Sequence, residues 1–249
     1  MASVTMTDAP SSTVMRESGS VLSSMSSSVP LELGPEGLPD PATAGYISNH
    51  IALRARNWEA MLEFYTKALG MRHIFSLAVS PKLNIAYVGH DRTNLDGWGP
   101  QTVSELLANR SKMQGLIKLI GVPVSASGHK LAGDSPSVFS HIGVTVPNVE
   151  ATQARLEQLG VTIVKHAGDD VVAGSFVARS YGIDEDTFSS LDELQETVSR
   201  IHLIGIRDFL VVADPDGNLV EIQQRDDDAL NHETIFDGHE VAFIPVRRR

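Results

Sequence analysis

With 249 residues, no cysteine and a formal net charge of −11 from 20 basic and 31 acidic side chains, the chain has room for one or two domains. It has no means of forming a disulfide, a thiolate metal site or a cysteine nucleophile, and an acidic surface repels a phosphate backbone, so nucleic acid is not expected as a partner. No apolar run reaches the roughly 18 to 20 residues that a membrane helix needs, and the first residues lack the basic-then-apolar order of a secretory signal. A soluble, cytoplasmic protein without membrane contact is therefore expected.

Residues 1–44 are rich in Ser, Thr and Pro and poor in large apolar groups, which predicts a disordered arm or one that lies across a partner subunit. Regular patterning starts at "NHIALRARNWEA", residues 49–60, and "SHIGVTVPNVEA", residues 140–151, echoes it about ninety residues later. Such an echo is the mark of a duplicated unit, and it gives His50 and His141 equivalent places. In "HIALR" the strand period puts His50, Ala52 and Arg54 on one face and Ile51 and Leu53 on the other. The period then turns helical, with Asn57 as N-cap, Trp58, Met61, Leu62, Tyr65 and Leu69 on one stripe, and Gly70 as terminator.

Three strand patterns follow, "HIFSLAV", "LNIAYVG" and "GLIKLIG", with a short helix expected over 100–113. The first βαβββ module thus runs over 45–125, and 126–139 reads as a linker. In the second module, 140–226, His141, Gly143 and Thr145 oppose Ile142, Val144 and Val146, Asn148 caps the helix, and "VTIVKH", "RDFLVVADP" and "NLVEIQQ" supply strands. A helical insert over about 168–205, with a helix at 189–202, is long for a strand connection. It reads either as a substrate cover or as a surface decoration. Residues 227–249 form a tail.

"DPDGNLVEIQQ", residues 214–224, gives a turn at Asp216-Gly217 and then a strand in which Leu219, Glu221 and Gln223 share a face. A carboxylate among apolar strand neighbours needs a cation, either a basic side chain or a metal ion. Two imidazoles, His50 and His141, together with Glu221 suit Zn, Ni, Mn, Co or Fe(II) with positions left free for water or substrate.

The segments "NHIALRARNWEAMLEFYTKALGM", "FSHIGVTVPNVEATQARLEQLGV" and "VVADPDGNLVEI" resemble the vicinal oxygen chelate superfamily, and within it the glyoxalase I (lactoylglutathione lyase) family, over roughly residues 46–225. The resemblance implies an α+β fold in which tandem βαβββ modules form a cupped mixed sheet around a central cavity. It implies one divalent metal ion held by His50, His141 and Glu221, with Glu221 also the catalytic base and Arg54 binding substrate. It further implies a homodimer acting on a small molecule, with sites near the subunit boundary. The chain departs from the pattern twice. Lys118 stands where the remaining acidic ligand belongs, and an ammonium cannot ligate; pairing of Lys118 with Glu221 in a metal-free protein is one expectation. Ser137 and "LIGVP" replace groups that hold glutathione, which predicts a non-classical substrate. The expected activity is a metal-dependent lyase or isomerase stabilising an enediolate. The alternatives are an isomerase, cyclase or Fe(II) dioxygenase of specialised metabolism on the same fold, and a non-catalytic small-molecule-binding protein.

Overall fold

The structure, a computed structural model, describes residues 34, 37–92, 99–121, 139–184 and 187–225. The expected arm, linker and tail fall wholly or mostly outside the described residues. In the first half come β1 (His50–Ala55), α1 (Trp58–Glu63), β2 (Arg72–Ser80), β3 (Leu83–Gly89), α2 (Val103–Asn109) and β4 (Leu116–Gly121). The second half holds β5 (His141–Val146), α3 (Val149–Gln158), β6 (Thr162–Lys165), α4 (Phe176–Ser180), α5 (Leu191–His202), β7 (Leu210–Ala213) and β8 (Leu219–Gln224).

Each half builds a four-stranded mixed sheet, ordered β1-β4-β3-β2 and β5-β8-β7-β6. The expected cup is therefore made of two hydrogen-bonded sheets, each with its first strand at an edge, parallel to its last. Registers coincide between the halves: Ala52 lies opposite Lys118 as Gly143 lies opposite Glu221, and His50 opposite Leu116 as His141 opposite Leu219. Lys118 and Glu221 are thus counterparts in the duplicated framework. The helices obey the same local rules. Asn57 accepts from the Ala60 amide and Asn148 from the Ala151 amide, which satisfies one orphan donor at each N-terminus. Gly70 and Gly160, at φ of 71° and 70°, take the left-handed conformation that ends each helical segment cheaply.

One core joins the halves. Leu53, Met61, Tyr65 and Leu119 of the first half and Leu156, Leu210, Val220 and Ile222 of the second belong to a single buried cluster. The opposite sheet faces are left for the site. Polar bridges reinforce the joint: the Tyr65 phenol donates to Asp214 at 3.1 Å, and the Arg56 amide and guanidinium bind Asp216. Burial and then the adjacent Asp214 charge push the Tyr65 phenol far up, which keeps it a donor, while burial raises Asp214 against the hydrogen bonds from Asn218, Tyr65 and Asp216 that favour its carboxylate. The helix expected to run unbroken to Gly70 instead changes to a π-helical turn over Phe64–Ala68, and Tyr65 lies in that turn.

The insert is a lobe with its own core, in which Val171, Val177, Leu194, Val198 and Ile206 pack together against Val164 and Phe209. The helix expected at 189–202 is α5, capped by Ser190; α4 is an additional short helix. Lys165, only 5% exposed, clamps the neck of the lobe by donating to the carbonyls of His166, Arg207 and Phe209 at 3.0, 2.8 and 2.8 Å. The helix expected at 100–113 is found as α2, closed by a Thr102/Glu105 capping box. No helix among the described residues is long and apolar enough to cross a membrane.

Candidate functional site

Strand β8 is buried on both faces, which leaves Glu221 4% exposed. A carboxylate in that position needs hydrogen-bond partners, and it has them. Tyr181, carried by the insert just beyond α4, donates its phenol to Glu221 Oε2, and Gln223 Nε2 donates to Oε1 at 2.5 Å. His141 Nε2 lies 3.6 Å from Oε2, and the His141 and Tyr181 ring centroids are 5.1 Å apart.

The hydrogen-bond network assigns the His141 tautomer. Ser140 Oγ donates its one proton to the Ser180 carbonyl at 2.7 Å, so toward His141 Nδ1, 2.9 Å away, it acts as acceptor. Nδ1 therefore carries a hydrogen, and in the neutral imidazole Nε2 presents a lone pair toward Glu221. An imidazole nitrogen and a carboxylate oxygen converge in the arrangement that suits a bound cation, with the imidazole held from behind by a neighbouring oxygen.

The first sheet repeats half of this construction. Asn49 donates its amide to the carbonyls of Arg110 and Met113 at 2.9 and 2.8 Å, which leaves its Oδ1, 2.9 Å from His50 Nδ1, as acceptor. His50 accordingly has the same tautomer as His141, fixed by the residue just before it. His50 packs edge-on against Tyr87 with centroids 5.3 Å apart, and the Lys118 ammonium stands 5.8 Å from the same ring centroid. The expected pairing of Lys118 with Glu221 does not occur: the two sit in different sheets, and Lys118 has no hydrogen bond or ion pair among the described residues. Arg54 is exposed on β1, on the face that bears His50.

Within one chain, then, His141 and Glu221 come together, while His50 and Arg54 stay on the other sheet. Among the described residues no three His, Asp or Glu side chains form a group able to hold a metal ion. A groove of about 650 Å³ runs between the two histidine-bearing edges, lined by Ile51 and Leu116 on one side and by His141, Gly143 and Thr145 on the other. Sequence reasoning missed Tyr181, Ser140, Asn49 and Gln223. A polar residue directly before each histidine was a readable signal. Tyr181 carried none, because the insert has no counterpart in the first half.

A duplicated βαβββ framework with its histidines at equivalent edge-strand positions and an acid on the last strand defines a protein of paired sheets built around a polar site. The family model of the Glyoxalase/Bleomycin resistance protein/Dioxygenase superfamily matches residues 47–222, and the chain belongs to that superfamily. The lactoylglutathione lyase of Pseudomonas aeruginosa is 29% identical over 139 residues, 51% of this chain and 73% of the relative. That of Pseudomonas putida is 30% identical over 142 residues, 52% of this chain and 76% of the relative. Among solved structures, the trypanothione-dependent glyoxalase I of Leishmania major is similar with a TM-score of 0.40 and 18% identity, covering 72% of this chain and 87% of that one.

Proposed function

We propose that the chain is a divalent-metal-dependent enzyme of glyoxalase I type, a lyase or isomerase that moves a proton between neighbouring carbons of a small substrate other than the glutathione adduct. The observation that carries this reading is the convergence of His141 Nε2 on Oε2 of the buried Glu221 at 3.6 Å, with the imidazole tautomer set by Ser140. The donor types fit Zn, Ni, Mn, Co or Fe(II). His141 and Glu221 would hold the ion from one chain, and His50, held in the same tautomer by Asn49, would supply the further nitrogen from a second copy in a homodimer. Support for that assembly is the open face of the first sheet, where His50 and Arg54 on one edge strand and Leu77 and Val79 on the other are all exposed.

Bound there, the ion would supply Lewis-acid polarisation of substrate oxygens. The protein's own groups do the rest. Glu221 is the proton carrier, and burial with two hydrogen-bond donors keeps its carboxylate oriented and dry. Tyr181 and the lobe behind it shield Glu221 from water, and Arg54 attracts an anionic or polar part of the substrate. The test is metal analysis of protein purified without added ions, followed by turnover of the methylglyoxal–glutathione hemithioacetal and of glutathione-free 2-oxoaldehydes, with Glu221→Gln as control. Bound metal with activity abolished by the substitution is expected. Protein that binds no metal, and turns over neither substrate class when metal is added, overturns the proposal.

A second reading, a metal-free small-molecule-binding protein on the same fold, draws on Lys118, a cation at the place matched to Glu221. The same metal analysis separates the two.

A further inference from the structure

The two halves superpose in register but not in charge: Gly143 faces Glu221 across β5 and β8, whereas Ala52 faces Lys118 across β1 and β4. Glu221 is surrounded by donors. Lys118 has neither an anionic partner nor a hydrogen-bond acceptor among the described residues. Beside it lies a groove of about 310 Å³ whose walls are Phe75, Leu77, Ile85, Tyr87 and Leu116, with Arg110 at its rim. None of the groove's lining side chains among the described residues is acidic.

The strand registers order these groups. Phe75, Tyr87, Lys118 and Ala52 form one row across the sheet, and Leu77, Ile85, Ile120 and Arg54 form the next. Phe75 and Tyr87 stack at 4.9 Å with their planes 18° apart. One side of the face is thus apolar and aromatic, and the other carries two cations, Lys118 and Arg54. A half-buried ammonium over an aromatic ring, beside an apolar wall, is a receptor for a negative charge attached to an apolar body.

We propose that this groove binds the anionic end of a small apolar carboxylate, with Lys118 as the charge partner and the Phe75/Tyr87 wall taking the flat or hydrocarbon part. The proposal rests on the reading above only in treating this groove as part of the same site; it names the substrate's charge and shape, which that reading leaves open. A ligand carboxylate supplies in the first half the negative charge that Glu221 supplies in the second.

The experiment is calorimetric titration in EDTA, without metal, of 1-naphthoate and of its neutral analogue 1-naphthylmethanol. The wild-type chain should prefer the acid by on the order of tenfold to a hundredfold, the range of a hydrogen bond to a charged group. Lys118→Met should bind both alike, and Lys118→Arg should keep the preference. Tyr87→Leu should weaken acid and alcohol together. Equal binding of acid and alcohol by the wild type, or a preference that survives Lys118→Met, overturns the inference. Should Lys118→Met fail to fold, salt decides on the wild type: affinity for the acid alone must fall between 50 and 500 mM NaCl, and an unchanged affinity overturns it. Because no metal is present, failure of the metal-enzyme reading leaves this titration unaffected, and a negative titration leaves metal binding standing.

Discussion

Burying Glu221 separates two requirements, charge and orientation, that substitution can test one at a time. Glu221→Gln keeps the shape and the bond to Tyr181 but removes the proton carrier. Turnover in the presence of added metal should fall by about 10²- to 10⁴-fold, the span attributed to general acid–base groups, while the thermal midpoint should not fall. A midpoint that collapses with activity would make Glu221 a structural group instead. Tyr181 acts oppositely. Its phenol occupies Glu221 Oε2, the oxygen nearest His141 Nε2, and so competes with any cation placed between them. Tyr181→Phe should therefore lower stability by about 1–2 kcal/mol through one lost buried hydrogen bond. It should also tighten metal binding by roughly tenfold, since the free chain no longer holds that oxygen in a competing bond. Calorimetric titration with Zn(II) or Ni(II) reads the second effect, and unchanged affinity would show that the phenol does not obstruct the ion.

Lys165 holds the base of the inserted lobe, and burial pulls its ammonium from an ordinary 10.5 down to about 8. A depressed lysine favours folding in the deprotonated form. Below pH 8 both states carry the proton and the cost of burying it is complete. Between pH 8 and 10.5 the unfolded chain binds a proton that the folded chain lacks, so stability rises through that window and levels above it. Urea unfolding at pH 7 and 9.5 should show this rise in the wild type and its absence in Lys165→Met, which should also lose about 1–3 kcal/mol by orphaning buried carbonyls. Parallel behaviour of the two proteins would deny Lys165 the role. The lobe also marks the boundary of what sequence can convey. Both β-then-α openings were legible because strand alternation, Asn57 and Asn148 caps and terminal glycines are local signals. Helix α5 was legible from its apolar spacing. By contrast α4 spans too few residues to show a period, and the π-turn at Phe64–Ala68 lies inside an unbroken helical pattern. The repeat and the family resemblance predict His50, His141 and Glu221 at a common centre, and of these the chain brings His141 and Glu221 together. Lys118 was legible as the first-half counterpart of Glu221, since both fall at the same register of a last strand, but whether their side chains meet depends on the packing of two separate sheets, which strand periodicity does not encode.

The duplication sets His50 and Arg54 on one sheet and His141 and Glu221 on another, and the core shared by strands and helices of both halves joins these sheets. A group of three metal-type donors is not formed within the chain among its described residues. If two copies complete each other's sites, as proposed, inactivating substitutions on opposite sheets must complement. Take His50→Ala and Glu221→Gln, each nearly inactive alone. In a mixed dimer one site inherits both lesions, while the other receives an intact His50 from the Glu221→Gln chain and an intact Glu221 from the His50→Ala chain. Random pairing of equal amounts makes half the dimers mixed, each with one good site of two, so roughly a quarter of wild-type activity should return. Mixing should be carried out by co-refolding or co-expression, with dimer mass confirmed by analytical ultracentrifugation, and recovery should saturate at equal proportions. A mixture no more active than its parts, or a chain that sediments as a monomer while fully active, would assign the whole site to one copy. The second sheet, with His141, Glu221 and Tyr181, would then have to act without His50.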